Sequence, residues 1–300
     1  EIEERLVGSE MCIRDSGTVG LPMAVYGYPL AIWIPPHYAG TLGLDIATVG
    51  LILMFARFTD VVTDPIIGEL SDRWRTPIGR RKPWLLIGVP VMILGCFQLY
   101  SPSGEVGILY LLLWLTVFFL GATMIMLPHR AWGAEMSTDY HQRSRITAAR
   151  EFYYLTGLLF AAMVPMVIEI MNDGGVGVGE VFGKMWTDAM GAFTGDIMNA
   201  TPTDRSALTG PVLTALAWSI AFLLPAAAMV CLIFVKEPEK QITEARVPLK
   251  EGIAAILRNG PMKRILLIVL LVHFGESFRN GVSFFFISEI VGIPTIGAAY

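Results

Sequence analysis

The stretch RFTDVVTDPIIG, residues 57–68, places three charged side chains in the interior of a largely apolar run that covers residues 45–70. Arg57, Asp60 and Asp64 are spaced three and four residues apart, so they share one face of a helix. Each charge at the middle of a bilayer costs about 2.5 to 3.5 kcal/mol, so a helix would not present all three to lipid. The stretch therefore predicts a transmembrane helix whose charged face lines a cavity or meets another helix.

The composition of the whole chain is also that of a membrane protein. Of the 300 residues, 54% are hydrophobic and 16% are charged, whereas soluble domains carry about 25% charged residues. Apolar runs of about 20 residues are long enough to cross a bilayer. They predict seven spans, at 17–39, 45–70, 84–100, 107–126, 147–171, 211–235 and 265–288, with a stub of an eighth at 294–300. We therefore predict an all-α membrane protein with no room for a soluble catalytic domain.

Lysine and arginine indicate the orientation of this layout, because cytoplasmic loops are enriched in them. The basic residues cluster after every second span: Arg73, Arg75, Arg80, Arg81 and Lys82; then Arg143, Arg145 and Arg150; then Lys236, Lys240, Arg246, Lys250, Arg258, Lys263 and Arg264. This alternation predicts a cytoplasmic N-terminus and a cytoplasmic linker after the sixth span. Within the linker, apolar residues on one side predict an amphipathic helix over residues 247–259.

The spans and the linker divide the chain into four parts. Residues 17–235 are expected to form a six-helix N-terminal bundle, residues 236–264 the linker, and residues 265–300 the beginning of a second bundle that is cut short. Residues 7–16 resemble a translated sequencing adapter, so we expect residues 1–16 to be a non-native artefact. The chain is thus expected to be a fragment of a longer carrier.

The charged face of the second span has the chemistry of a cation site. If Arg57 neutralises one aspartate, an unbalanced carboxylate remains, and two close carboxylates raise the affinity for a proton or a hard cation. Thr123, in the fourth span, could add an uncharged oxygen ligand. The alternative is an internal ion pair that only holds helices together. The expected ion is Na⁺ or H⁺, with no other metal and no cofactor.

Two sequence blocks carry a family resemblance. The first continues from residues 57–68 through SDR (71–73) and GRRKPW (79–84), and the second runs from Leu127 and Pro128 through Glu135, Asp139, Arg143 and Arg150. Together they resemble the glycoside-pentoside-hexuronide:cation symporters, a family typified by the melibiose carrier within the major facilitator superfamily. The resemblance implies a twelve-helix carrier with two six-helix bundles, of which this chain holds the first and the start of the second.

The resemblance also implies roles for individual residues. Asp60 and Asp64 match the cation-binding carboxylates, and Thr123 matches a position of the sodium site. Arg150 matches an arginine near the sugar site. The loop from Gly68 to Pro83 matches a cytoplasmic gate, in which Asp72 pairs with Arg80 or Arg81. The alternative for this loop is an ordinary basic cytoplasmic loop.

The substrate positions depart from the melibiose carrier. Ala24 and Met126 stand where that carrier has acidic residues, and Arg130 stands in place of an aromatic residue. Arg130 and Arg150 would suit the carboxylate of a sugar acid, although Arg130 could instead pair with Glu135. The candidate substrate-binding residues are Arg57, Met126, Arg130, Arg150 and, in the seventh span, Glu276 and Arg279, which could also pair with each other.

These features predict a secondary transporter that couples influx of a sugar, glycoside or sugar acid to Na⁺ or H⁺ by alternating access. We expect a monomer in the lipid bilayer of a bacterial inner membrane, with a small-molecule substrate and no nucleic-acid partner. A transporter of a lysolipid or another amphiphile, or a membrane receptor that does not transport, are the alternatives. An enzyme is not expected, because no nucleophile with a base and no metal cluster is evident beyond His129 beside Arg130.

Overall fold

The computed structural model describes residues 17–74, 76–136, 139–172, 206–235 and 249–285. The predictions for residues 1–16 and for the span stub at 294–300 lie outside the described residues, as does the first part of the linker, residues 236–248. The regular structure of the described part is helical, apart from one isolated bridge between Thr76 and Gly79. The main helices are α1 (Gly20–Ile32), α2 (Ile46–Arg73), α3 (Lys82–Tyr100), α4 (Ile108–Glu135), α5 (Tyr140–Asn172), α6 (Ser206–Phe234), α7 (Leu249–Arg258) and α8 (Gly260–Phe285).

The first predicted span is interrupted near its end. After Ile32 the chain forms one further helical turn, Ile34–Pro36, and then a π-helical segment, His37–Thr41. Pro29, Pro35 and Pro36 lack the backbone N–H that a continuous helix would need, which explains the break. The buried Tyr38 hydroxyl fixes the segment by donating a hydrogen bond to the Leu99 carbonyl at 3.0 Å.

Two predicted helix ends were wrong. α4 continues to Glu135 instead of ending at Met126, although Pro128 lies within it. α5 begins at Tyr140 instead of Thr147, so Arg143, Arg145 and Arg150 lie in a helix and not in a loop. Both differences have one cause: the predicted ends followed the apolar run, whereas these helices extend past it into polar sequence.

Helices α1 to α6 form one compact unit. α4 packs against α2 and α3, α6 packs against α3 and α1, and α5 packs along α1. Glycines allow the closest approaches: a Cβ atom added to Gly121 of α4 would lie 2.6 Å from the Met92 backbone nitrogen in α3. This close packing places the ends of α2 and α4 beside the start of α3, where the candidate site lies.

Four of the described helices are long and apolar enough to cross a membrane: α2, α3, α4 and the Gly210–Phe234 part of α6. They correspond to four of the seven predicted spans, and the others stay predictions. The amphipathic helix expected in the linker is α7, which contacts α8, the helix of the predicted seventh span. These two helices form a second unit.

Candidate functional site

The charged face predicted for the second span lies on α2. Asp45 caps the start of this helix by accepting a hydrogen bond from the Thr48 backbone nitrogen at 3.0 Å. Further along, Arg57 Nη1 lies 3.5 Å from Asp60 Oδ2. The Arg57 guanidinium also lies over the Phe119 ring of α4, at 4.2 Å from its centroid. The ion pair expected between Arg57 and one aspartate is therefore present, and it faces α4.

Two buried oxygens beside this pair have no hydrogen-bond partner among the described residues. They are Asp60 Oδ1 and Thr63 Oγ1. A buried polar atom without a partner costs free energy that a ligand can recover. Thr63 follows Asp60 by three residues and precedes Asp64, so all three lie on one face of α2. Thr63 was missed in the sequence, where threonine at this spacing is too common to stand out.

Thr123, which was expected to complete the cation site, is partly buried in α4. It lies one helical turn after Phe119, the residue that meets Arg57. Within the described residues, Thr123 makes no hydrogen bond to Asp60 or Asp64. Its role as a ligand thus stays a prediction.

A cavity of about 620 Å³ lies between α2 and α4, and one of the two predicted cation-binding carboxylates, Asp64, lines it. This volume is in the range of small-molecule binding pockets. Five of the predicted site residues meet there. The lining consists of Asp64, Pro65, Gly68, Ser71, Asp72, Arg81, Leu127, Arg130 and Ala131.

The deepest charge at the end of this cavity is Arg81, whose side chain is only 4% exposed. Its guanidinium lies 2.5 Å from Asp72 and 3.0 Å from Glu135, and it donates a hydrogen bond to Ser71 Oγ at 2.8 Å. Arg80 Nη2 lies 2.5 Å from the other oxygen of Glu135. We call Ser71, Asp72, Arg80, Arg81 and Glu135 the gate cluster, after the predicted gate loop. The cluster connects the end of α2, the start of α3 and the end of α4.

The gate cluster resolves two alternatives left by the sequence. Asp72 pairs with Arg81, and Glu135 binds Arg80 and Arg81. No ion pair of the described residues includes Arg130. The proposed Arg130–Glu135 pair is thus not formed. The sequence did not indicate the observed partners of Glu135, because they lie more than fifty residues away.

The remaining candidate residues lie around the cavity or away from it. Met126 Sδ accepts a hydrogen bond from the Tyr26 hydroxyl of α1 at 3.3 Å. Arg150 pairs with Glu151 at 3.0 Å and is not part of the cavity lining. The side chains of Glu276 and Arg279 lie outside the described residues.

A helical membrane protein with charged residues buried between its helices is the class that this fold and site define. The chain belongs to the family described as MFS/sugar transport protein, whose model matches residues 16–299. This membership confirms the predicted all-α, major facilitator fold and an integral, multi-pass membrane protein. It also places the protein among transporters and not among enzymes.

The curated relatives are symporters, and those whose names state a substrate differ in that substrate. The chain is 30% identical over 135 residues to the uncharacterized symporter sll1374 of Synechocystis sp., covering 42% of this chain and 25% of that protein. It is 30% identical over 152 residues to the putative glycoside/cation symporter YagG of Escherichia coli, covering 49% and 33%. It is 23% identical over 261 residues to the sodium-dependent lysophosphatidylcholine symporter 1 of Mus musculus, covering 82% and 47%. The chain thus spans between a quarter and about half of these relatives.

Proposed function

We propose that this protein is a secondary transporter that couples influx of a small organic substrate to a cation bound at Asp60 and Asp64. The observation that carries the proposal is the pair of buried, unpartnered oxygens, Asp60 Oδ1 and Thr63 Oγ1, beside the Arg57–Asp60 ion pair. Carboxylate and hydroxyl oxygens are ligands suited to a hard cation. Thr63 therefore joins Asp60 and Asp64 in the proposed site, and Thr123 is a fourth candidate.

Charge balance supplies the coupling mechanism. Arg57 offsets one carboxylate, so Asp60 and Asp64 together leave one negative charge unbalanced in a membrane helix. A Na⁺ or H⁺ ion cancels that charge and lowers the cost of moving the site through the membrane. The membrane potential contributes about 2.3 kcal/mol per charge per 100 mV, enough for roughly fifty-fold accumulation of substrate.

The proposal extends to the rest of the molecule. The proposed transporter consists of a six-helix bundle at 17–235, a linker at 236–264 and a second bundle that begins at 265. Its N-terminus is proposed to be cytoplasmic and its membrane a bacterial inner membrane. Gly68, Asp72, Arg80 and Arg81 form the cytoplasmic gate, and the protein works as a monomer. The substrate is proposed to enter the cavity between α2 and α4. Glu276 and Arg279, in the predicted seventh span, stay candidate substrate-binding residues.

Two substrate classes are proposed. A sugar, glycoside or sugar acid is the first, because the family is one of sugar transport proteins and YagG is named a glycoside/cation symporter. A lysophospholipid is the second, because the mouse lysophosphatidylcholine symporter aligns with 82% of this chain. Competition between labelled sugars and lysophospholipid for uptake separates the two.

The test is gradient-driven uptake into vesicles that contain the full-length protein. We expect Na⁺- or pH-jump uptake of the substrate to fall to background in the Asp60→Asn variant, because the site then lacks the charge that the cation neutralises. Asp45→Asn is the matched control: this residue is exposed at the start of the same helix, and asparagine also caps helices. Full cation-dependent uptake by Asp60→Asn would refute the proposal.

A further inference from the structure

The cavity between α2 and α4 is lined by charged residues of both signs, and only some of them form ion pairs with each other or with nearby residues. Arg81 and Asp72 bind each other, and Arg81 also binds Glu135. By contrast, none of the ion pairs formed in the described part of the chain includes Asp64 or Arg130. One carboxylate on α2 and one guanidinium on α4 therefore remain for a ligand.

Arg130 is an unusual residue for its helix. It is the only charged residue of α4 before Glu135, and the part of the helix that precedes it is largely apolar. Its side chain is exposed and lines the cavity between two apolar neighbours, Leu127 and Ala131. An unpaired charge in a membrane helix is costly and marks a functional position.

The chemistry of the guanidinium defines what it binds. Arginine keeps its proton at any physiological pH, so Arg130 cannot serve as a proton carrier. Its planar array of N–H donors fits the two oxygens of a carboxylate or a phosphate. A neutral sugar hydroxyl would not need this charge.

We infer that Arg130 binds an anionic group of the substrate, a carboxylate or a phosphate, in the cavity that Asp64 also lines. The inference rests on the proposed function and narrows its substrate class to molecules that carry a carboxylate or a phosphate group, whether sugar acids or lysophospholipids. The empty Asp64 carboxylate repels an anion in the same cavity. A cation at Asp64 removes this repulsion, so cation and anionic substrate bind more tightly together than apart.

The test is equilibrium binding to the purified full-length protein in detergent, without any gradient. Two pairs of probes separate the sources of the anion: glucuronate against glucose, and lysophosphatidate against monoacylglycerol of the same chain length. At least one anionic probe is expected to bind more tightly than its neutral counterpart, and more tightly with Na⁺ or at lower pH. Glucuronate binding identifies a sugar acid, and lysophosphatidate binding identifies a phosphate.

Variants test the residue itself. Arg130→Gln is expected to weaken binding of the anionic probe about tenfold to a hundredfold, the effect of losing a charged hydrogen bond. Arg130→Lys should lie between it and the unmodified protein, because lysine keeps the charge but not the two-pronged geometry. Arg258→Gln is the control, since it removes an exposed arginine on α7. An unchanged melting temperature verifies that the variants fold.

Three results would overturn the inference: unchanged anion affinity in Arg130→Gln, a neutral probe that binds as tightly as its anionic counterpart, or no binding of either anionic probe to the unmodified protein. The comparison of probe pairs needs no variant, so it holds even if Arg130→Gln fails to fold. Cation-driven uptake of a neutral sugar by Arg130→Gln would keep the proposed symport and reject this inference. Arg130-dependent anion binding that Asp60→Asn and cations leave unchanged would keep Arg130 as the anion-binding residue, but it would reject both its coupling to the cation and the proposed symport.

Discussion

Two threonines on α2 differ in what their hydroxyl groups bind. Thr59 Oγ1 donates a hydrogen bond to the Ala56 carbonyl at 2.6 Å, which is the usual arrangement for a threonine in a membrane helix. Thr63 Oγ1 is buried and has no partner among the described residues. The hydroxyl of Thr63 is therefore available to a cation, whereas that of Thr59 is already used.

This difference predicts separate effects of the same substitution. Thr63→Val should weaken the apparent affinity for the coupling cation by roughly tenfold, because one oxygen ligand is lost. Thr63→Ser should keep the affinity, since serine retains the hydroxyl. The measurement is the Na⁺ or H⁺ dependence of substrate uptake by the full-length protein. Thr59→Val is the matched control, and a Thr63→Val variant that behaves like it would contradict the assignment.

At the scale of residues, the sequence predicted the charges of the site better than its neutral members. Asp60 and Asp64 stand out because a charge in an apolar run is costly. Thr63 and Ser71 do not, because their significance depends on burial and on which partner their hydroxyl finds. The pairing of Arg81 with Asp72 and Glu135 joins three helices, and such long-range geometry is not written in local spacing.

At the scale of elements, the gate cluster holds the ends of three helices together. Arg81 is nearly buried and binds two groups on α2 and one on α4, so its removal leaves the partly buried Glu135 with less compensation. We expect Arg81→Gln to lower the free energy of unfolding by about 2 to 4 kcal/mol. Thermal and denaturant unfolding in detergent measure this effect.

Arg73→Gln is the control for the gate cluster. Arg73 pairs with Glu69 within α2, and both side chains are more than half exposed. Exposed pairs of this kind contribute about 0.3 to 0.5 kcal/mol, so this variant should unfold almost like the unmodified protein. Equal losses in Arg81→Gln and Arg73→Gln would mean that burial of the gate cluster adds nothing.

The close contact between α3 and α4 predicts how a substitution at Gly121 changes the stability of the protein. A Cβ atom at Gly121 would lie 2.6 to 2.8 Å from Met92 atoms, including its backbone, so Gly121→Ala must push the helices apart. We expect a loss of about 1 to 3 kcal/mol in stability, measured by thermal unfolding. Gly50→Ala, in α2, has nothing within 4 Å of the added atom and should be neutral. A neutral Gly121→Ala would show that the helices are not so closely packed.

Helix ends could be predicted where the helix and the apolar run end together. They could not be predicted where the helix extends beyond the apolar run. Pro128 did not end α4, because a proline removes one backbone hydrogen bond that a tightly packed membrane helix can do without. The start of α5 was missed because its first turns are polar. Charge and hydropathy mark the membrane-spanning part of a helix, not its full length.

At the scale of the whole molecule, the sequence predicted helices and their class but not which helices touch. Apolar residues surround these helices on most sides, because lipid and protein neighbours are similarly apolar. The packing of α2 against α4 creates the cavity. The sequence patterns of the two helices did not predict that these helices would pack against each other. Asp64 and Arg130 both line that cavity, and this shared location could not be predicted from either helix alone.

The orientation of the bundle can be tested at the two ends of α3. The connection from α2 to α3 and the connection from α3 to α4 lie at opposite ends of a helix long enough to cross the membrane, and the clustering of basic residues predicts that the first is cytoplasmic. In a full-length protein lacking Cys12, Cys96 and Cys231, we expect Ile78→Cys to react with a membrane-impermeant maleimide only from the cytoplasmic side. Ser103→Cys, exposed in the second connection, should react only from the outside. Labelling of both from one side would exclude α3 as a span, and the reverse pattern would invert the proposed topology.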